Sequence, residues 1–426
     1  MPFNPLPNKR AYATARTTLL AIGGAFITYC SMYAFRKPFT AAEYANESLW
    51  GIDLKIVLIT AQAIGYMLSK FIGIKVVSEL PASRRIVTIF FLMGTAGFSL
   101  LLFGLSAPSY RFIWIFLNGL PLGMMWGVVF SFLEGRKNTE LLGAGMSASF
   151  IVSSGLVKSV GKHLLDSWQV APYWMPLLTA LLFVPLLALG VWMLTRIPPP
   201  DAEDIALRTE RVPMHGKQRR HFFTTFAFGI VAVVIIYIAL TIFRDLRDNF
   251  AVEIWTQLGY SNVAQLLLTA EIPIALAVFG IVALMIYIKN NKAAFFANIA
   301  IIMLGGILLV AATFLFQQKI ISPAHWMIMA GFAVYLSYIS YHTMLFERWI
   351  AVFRYPGNIG FLMYIADSFG YMGSVGILFY KNFGSKGMSW LDYMINISYV
   401  VGLITFVLSL MAWWYFQRKV KPQYNS

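Results

Sequence analysis

A single cysteine, Cys30, stands in the 426 residues, so no disulfide can form within the chain and cysteine usage leaves the redox compartment open. Charge is scarce: 12% of residues are charged, against about 25% in a soluble globular domain. Acidic residues are scarcer than basic ones, 18 against 33, for a net charge of +15. No G-x-x-x-x-G-K-[ST] run occurs, nor a G-x-G-x-x-G behind a strand, which excludes ATP-driven work by this chain on the usual phosphate loops. No Cys/His cluster has metal-ligand spacing, and no nucleophile, base and orienting group fall into an enzymatic pattern, so neither a cofactor, a metal nor catalysis is expected. No cleavable leader is expected: the N-terminus is polar and Pro-rich (MPFNPLPNKR), and the first apolar run has the length of a span.

What is present is apolar sequence, 59% of the residues at a mean hydropathy of +0.70. That is too much for one water-soluble core, and it falls into runs near the ~20 residues needed to cross the hydrocarbon. Spans are predicted at 17–44, 54–77, 86–107, 111–133, 141–163, 172–195, 223–250, 263–288, 294–316, 324–346, 357–380 and 389–416. The stretch 196–222 opens Pro198-Pro199-Pro200, carries both charge signs and reads as a linker. The expected architecture is therefore an all-α membrane protein: twelve transmembrane helices in two pseudo-symmetric six-helix bundles, 1–195 and 223–426, joined by 196–222.

The basic residues orient it. Lys9, Arg10, Arg84, Arg85, Arg136, Lys137, Arg219, Arg220, Lys289, Lys292, Arg348, Arg418 and Lys419 all fall on the side of the N-terminus, which the positive-inside rule makes cytoplasmic, with the C-terminus beside it. The charge excess thus reads as topology and contact with a lipid bilayer. A nucleic-acid partner is excluded, because no soluble basic face exists. Arg36, Lys70, Lys158 and Arg244 remain inside apolar runs.

The two halves share a local pattern. The first span holds Tyr29, Tyr33, Phe35 and Arg36; the seventh holds Tyr237, Thr241, Phe243 and Arg244 at the same spacing. Positions i, i+4 and i+7 share a helix face, so each half presents two hydroxyls and a guanidinium in a row. Buried guanidinium is costly and defaults to function, and its planar fork suits carboxylate or phosphate. Two facing arginines would clamp a dianionic group. The structural alternative pairs Arg36 with Glu43 and Arg244 with Asp248.

On these residues the chain resembles the major facilitator superfamily, and within it the organophosphate:phosphate antiporters, the group of the bacterial glycerol-3-phosphate and hexose-phosphate transporters. Tyr29 to Phe39 (YCSMYAFRKPF), Ile64 to Arg85, Leu117 to Gly127 (LNGLPLGMMWG) and Phe369-Gly370-Tyr371-Met372-Gly373 carry the resemblance, in order along the chain. It implies the major facilitator fold, a bacterial inner membrane and exchange of an organophosphate for phosphate. It also implies that Arg36 and Arg244 contact phosphate, with Tyr29, Tyr33 and Lys70 beside them. The chain departs from the group where Phe150 stands in place of a fifth-helix histidine, and where Glu79, Arg84 and Arg85 follow the second helix without the compact superfamily motif.

Further polar residues lie in apolar runs. Asp367, flanked by Tyr364 and Tyr371, reads either as a proton-coupling carboxylate, as a counter-ion to a lysine or arginine, or as a polar helix contact. Tyr335, Tyr338, Tyr341 and His342 form a stripe on the tenth span, as packing or as a cavity wall. Glu271 precedes Pro273 and is expected at a helix break; Lys158 is expected to snorkel. Gly119, Gly123 and Gly127 have the spacing that lets membrane helices approach. The expected function is secondary active transport of a small organic anion by alternating access. Arg36, Arg244, Tyr29, Tyr33, Lys70, Tyr237, Tyr338 and His342 would contact substrate. Asp367, Glu271 and Asp248 would couple or gate, with protons or phosphate as the coupling species. The alternatives are a proton-coupled carrier of a non-phosphorylated solute and a transporter-like membrane sensor.

Overall fold

The computed structural model describes residues 9–44, 47–78, 80–133, 139–198, 216–285, 287–353, 359–384 and 387–420. Apart from a hairpin of β1 (Ser48–Leu49) and β2 (Ile52–Asp53), the regular structure among these residues is helical. Among the described residues, ten helical stretches are long and apolar enough to cross a bilayer. Pro323–Ser340, continued through a π turn (Tyr341–Leu345) into Phe346–Phe353, and Ile359–Gly384 take the places of the expected tenth and eleventh spans. The chain is an all-α membrane protein. Large apolar side chains such as Val87, Phe91, Leu276 and Val400 stay exposed on its flanks, where lipid takes the place of a protein core.

Several boundaries differ from the hydropathy reading, each for a local reason. Span 1 was expected to reach 44 but is Lys9–Arg36: Lys37 donates its N–H back to the Tyr33 carbonyl, and Pro38, with no N–H to give, opens a 3₁₀ turn. Span 4 divides into Arg111–Leu122 and Met125–Phe130 after Pro121. Span 6 divides at Phe183, before Pro185, and span 8 at Ala270, next to the expected Glu271. Span 7 begins at Gly216, inside the stretch read as linker, and kinks at Phe226; 199–215 lie outside the described residues. Trp50 and Gly51 both take positive φ, 56° and 72°, as a two-residue hairpin turn requires.

Spans 1 to 6 pack mainly on one another, as do spans 7 to 12, and the two groups meet where span 5 (Thr139–Asp166) crosses span 8 and span 2 (Leu54–Ser78) crosses span 11. Glycine sets the closest approaches. A Cβ at Gly119 would stand 2.5 Å from the Gln62 carbonyl oxygen, and one at Gly123 would stand 2.6 Å from Ser69 Cβ. Spans 2 and 4 therefore touch backbone to backbone, the packing role expected of that glycine series.

Candidate functional site

Arg36 is the last residue of span 1, where a cation suits the carbonyl end of the helix dipole. The carbonyls freed by the helix end are met by two buried amides. Asn118 Nδ2 donates to the Phe35 carbonyl at 3.1 Å, and Gln62 Nε2 donates to the Arg36 carbonyl and to Asn118 Oδ1, both at 2.9 Å. These amides, from spans 4 and 2, hold the arginine's backbone in place. Asn118→Leu leaves buried polar groups unmet, at a cost of about 1–3 kcal/mol. A lower melting temperature in detergent is expected; a melt unchanged from wild type would remove Asn118 from this role.

From that anchor the Arg36 guanidinium lies over the Tyr66 ring, its Cζ 3.8 Å from the centroid. Its Nε is buried without a hydrogen-bond partner, and among the described residues no carboxylate pairs with it. Glu43, the expected structural partner, is exposed and forms no such pair. Tyr29 and Tyr33, earlier on the same helix, are buried and meet edge on at 5.6 Å, and Tyr29 tilts against Phe150 at 5.3 Å.

Arg244, in span 7, lies over the Tyr338 ring at 4.3 Å. Each half thus stacks its arginine on a tyrosine, but the rings come from span 2 and span 10, which a six-plus-six repeat does not relate. The likeness of the two stripes stops at their own helices. The expected Arg244–Asp248 pair does not form. Arg244 donates instead to its neighbour Asp245 through Nε (3.0 Å) and Nη2 (2.7 Å), and Asp245 Oδ2 accepts from the Ser374 hydroxyl at 2.8 Å.

Between the arginines the halves are bridged. Lys70 of span 2 approaches Asp367 of span 11 at 3.2 Å. The Tyr237 hydroxyl donates to the other Asp367 oxygen and stands 2.9 Å from the Tyr338 hydroxyl. Tyr66 meets Tyr371 across the same seam at 5.1 Å. Asp367 is thus held between a lysine of one half and a tyrosine hydroxyl of the other. The tenth-span stripe splits: Tyr338 enters the cluster, while Tyr341 donates to the Val233 carbonyl in packing. The side chains of His342 and Tyr364 lie outside the described residues.

A second polar cluster closes the end of the seam where span 1 finishes. Asp248 receives Lys37 at 2.5 Å, Lys158 at 2.6 Å and the Ser154 hydroxyl, while Lys37 also donates to Asn249 at 2.8 Å. Lys158 therefore does not snorkel; it is buried in an ion pair between the halves. Lys55 pairs with Glu253 beside them, and burial holds the Glu253 carboxyl above its ordinary range although Lys55 opposes this. Glu271 sits at the span 8 break and accepts from Arg247 Nη1 at 2.7 Å, an ion pair within the second half.

Sequence reasoning passed over Tyr66, Gln62, Asn118, Asp245, Arg247 and Lys37. The amides carried a signal, as lone side-chain donors in apolar runs. Arg244, Asp245, Arg247 and Asp248 formed a dense charge group whose pairing no spacing rule decides.

No curated protein matches the chain. Among solved structures it has the fold of major facilitator transporters. A D-xylose-proton symporter superposes with a TM-score of 0.58 at 14% identity over 94% of this chain and 97% of that one. The human organic anion transporter MFSD10 (TETRAN) gives 0.56 at 12% identity over 93% and 99%. The sequence profile that describes a family of unknown function, DUF5690, matches residues 38–419, and the chain belongs to that family.

Proposed function

We propose that this protein is a secondary active transporter of a small organic anion, working by alternating access, with 1–195 and 223–426 as the two moving bodies. The observation that carries the reading is Arg36: a buried, permanently charged group on the seam between the halves, with no carboxylate partner among the described residues. Such a charge is stabilised by an anion that arrives from outside. Tyr66, Tyr371, Tyr338 and Tyr237 would wall the bound molecule, with Lys70 and Arg244 within the same cluster. The fold supports transport by rocking of two bundles about a central site. Exchange of an organophosphate for phosphate is the finer form of this reading and rests on the first-span and second-span resemblance. The Lys/Arg asymmetry favours cytoplasmic placement of both termini, and the family resemblance favours a bacterial inner membrane.

One observation favours proton coupling as a second reading. Asp367 bridges Lys70 and Tyr237 across the seam, so protonating it would loosen the contact between the bundles. The test is uptake of labelled phosphate, glycerol phosphate and organic carboxylates by proteoliposomes, with and without a pH gradient. Counterflow of an anion, insensitive to the gradient, supports exchange; uptake driven by the gradient and lost in Asp367→Asn supports symport. Absence of any anion flux, with neutral solutes carried, would sink the anion reading.

A further inference from the structure

Asp245 enters no motif, yet it decides what Arg244 can do. Both donors of Arg244 that face it converge on Asp245 Oδ1, and Ser374 holds Oδ2 from span 11. The carboxylate is buried, 9% exposed. Lys70 in turn is engaged by Asp367. Asp248 stays out of this arrangement, being held by Lys37, Lys158 and Ser154. Of the two arginines on the seam, one already has an internal carboxylate and the other has none among the described residues.

We infer that Asp245 is a specificity-determining residue: it occupies Arg244 as an internal counter-ion, so the site takes an anion with one negative charge, seated at Arg36, and rejects a second charge at the Arg244 end. The inference rests on the anion-carrier reading. A dianion spanning the two arginines would either displace Asp245 and leave its carboxylate buried and unpaired, or lie against it as a like charge; both are unfavourable in a desolvated seam. The ligand class is thus a monocarboxylate or a singly charged phosphate monoester. The clamp for a dianionic group, expected from the paired arginines alone, does not describe this site.

The experiment compares matched anions at one pH where every carboxyl group is ionised: gluconate with glucarate, and monomethyl succinate with succinate, with glycerol phosphate alongside. Binding to the full-length protein in nanodiscs is measured by calorimetry for wild type, Asp245→Asn, Ser374→Ala and Arg36→Gln. Wild type should prefer the monoanion of each pair. Asp245→Asn, which keeps the shape and an acceptor for Arg244, should move the ratio toward the dianion by about tenfold or more, since the like charge is gone. Ser374→Ala, which frees Asp245 without removing its charge, should move the ratio the same way by less, and it carries the test alone should Asp245→Asn not fold. An unchanged ratio, or a wild type that prefers dianions, overturns the role of Asp245 while leaving the anion site standing, provided Arg36→Gln abolishes binding of both members. Failure of all four carboxylates and of glycerol phosphate to bind wild type, or full retention of binding by Arg36→Gln, overturns the anion reading and this inference together; glycerol phosphate bound as its dianion while the carboxylates are not overturns the role of Asp245 alone.

Discussion

Arg36→Gln is expected to lower anion transport by about a hundredfold or more while leaving the melting temperature equal to or above that of wild type. A charge-assisted hydrogen bond contributes about 1.5–3 kcal/mol, and a bidentate fork makes two, which at about 1.4 kcal/mol per factor of ten gives the loss. Stability moves the other way because the guanidinium is buried without a carboxylate among the described residues, and its Nε has no partner. Replacing an uncompensated buried charge with a neutral amide relieves its desolvation. The lost contact with the Tyr66 ring, worth about 2 kcal/mol where desolvated, works against that relief. Arg36→Lys keeps the charge and loses the fork, so a loss of about tenfold is expected, one charged hydrogen bond being forfeited. Proteoliposome uptake and a thermal melt on the same preparations decide the matter. Full uptake in both variants would remove Arg36 from the site, and a large fall in melting temperature would make it a structural residue.

Asp248→Asn should show the opposite signature. Here one carboxylate serves two buried lysines from the other half, Lys37 and Lys158, together with Ser154. Removing its charge leaves both ammonium groups uncompensated, and breaking a buried pair from one side costs about 3–5 kcal/mol. A marked fall in melting temperature follows, with weaker closure of the seam at the end where span 1 finishes. Lys158→Met alone should also destabilise, since Asp248 then keeps only one lysine. The double variant should lose less than the sum of the two, a coupling of about 0.5–3 kcal/mol being usual for contacting residues. Strict additivity in thermal melts, or wild-type stability of Asp248→Asn, would show that the cluster does not join the halves.

The contrast between Arg36 and Asp248 marks how far the residues could be read in order. Intramembrane charges were visible as such, because each one interrupts an apolar run and a charge in lipid demands a reason. The two arginine stripes were visible too, since a helix fixes what i, i+4 and i+7 share. Partners were not. Arg244 had carboxylates at both i+1 and i+4, and helical spacing favoured Asp248. Ser374, more than a hundred residues away, holds the carboxylate of Asp245, and two lysines of the other half claim Asp248. Lys158 reads as a snorkelling side chain because it lies near the end of its span.

The sequence by itself determined that this is a helical membrane protein with its spans near the observed places, because the bilayer imposes length and hydropathy one segment at a time. It also determined that its buried arginines need an explanation. The tertiary structure decided which charges are satisfied: Lys70 by Asp367, Lys37 and Lys158 by Asp248, Arg244 by Asp245, and Arg36 by a tyrosine ring alone among the described residues. The physical reason is range. Hydropathy and helical periodicity are local sums along the chain, whereas the pairing of buried charges depends on which helices meet across the seam, and there only three-dimensional proximity sets the energy.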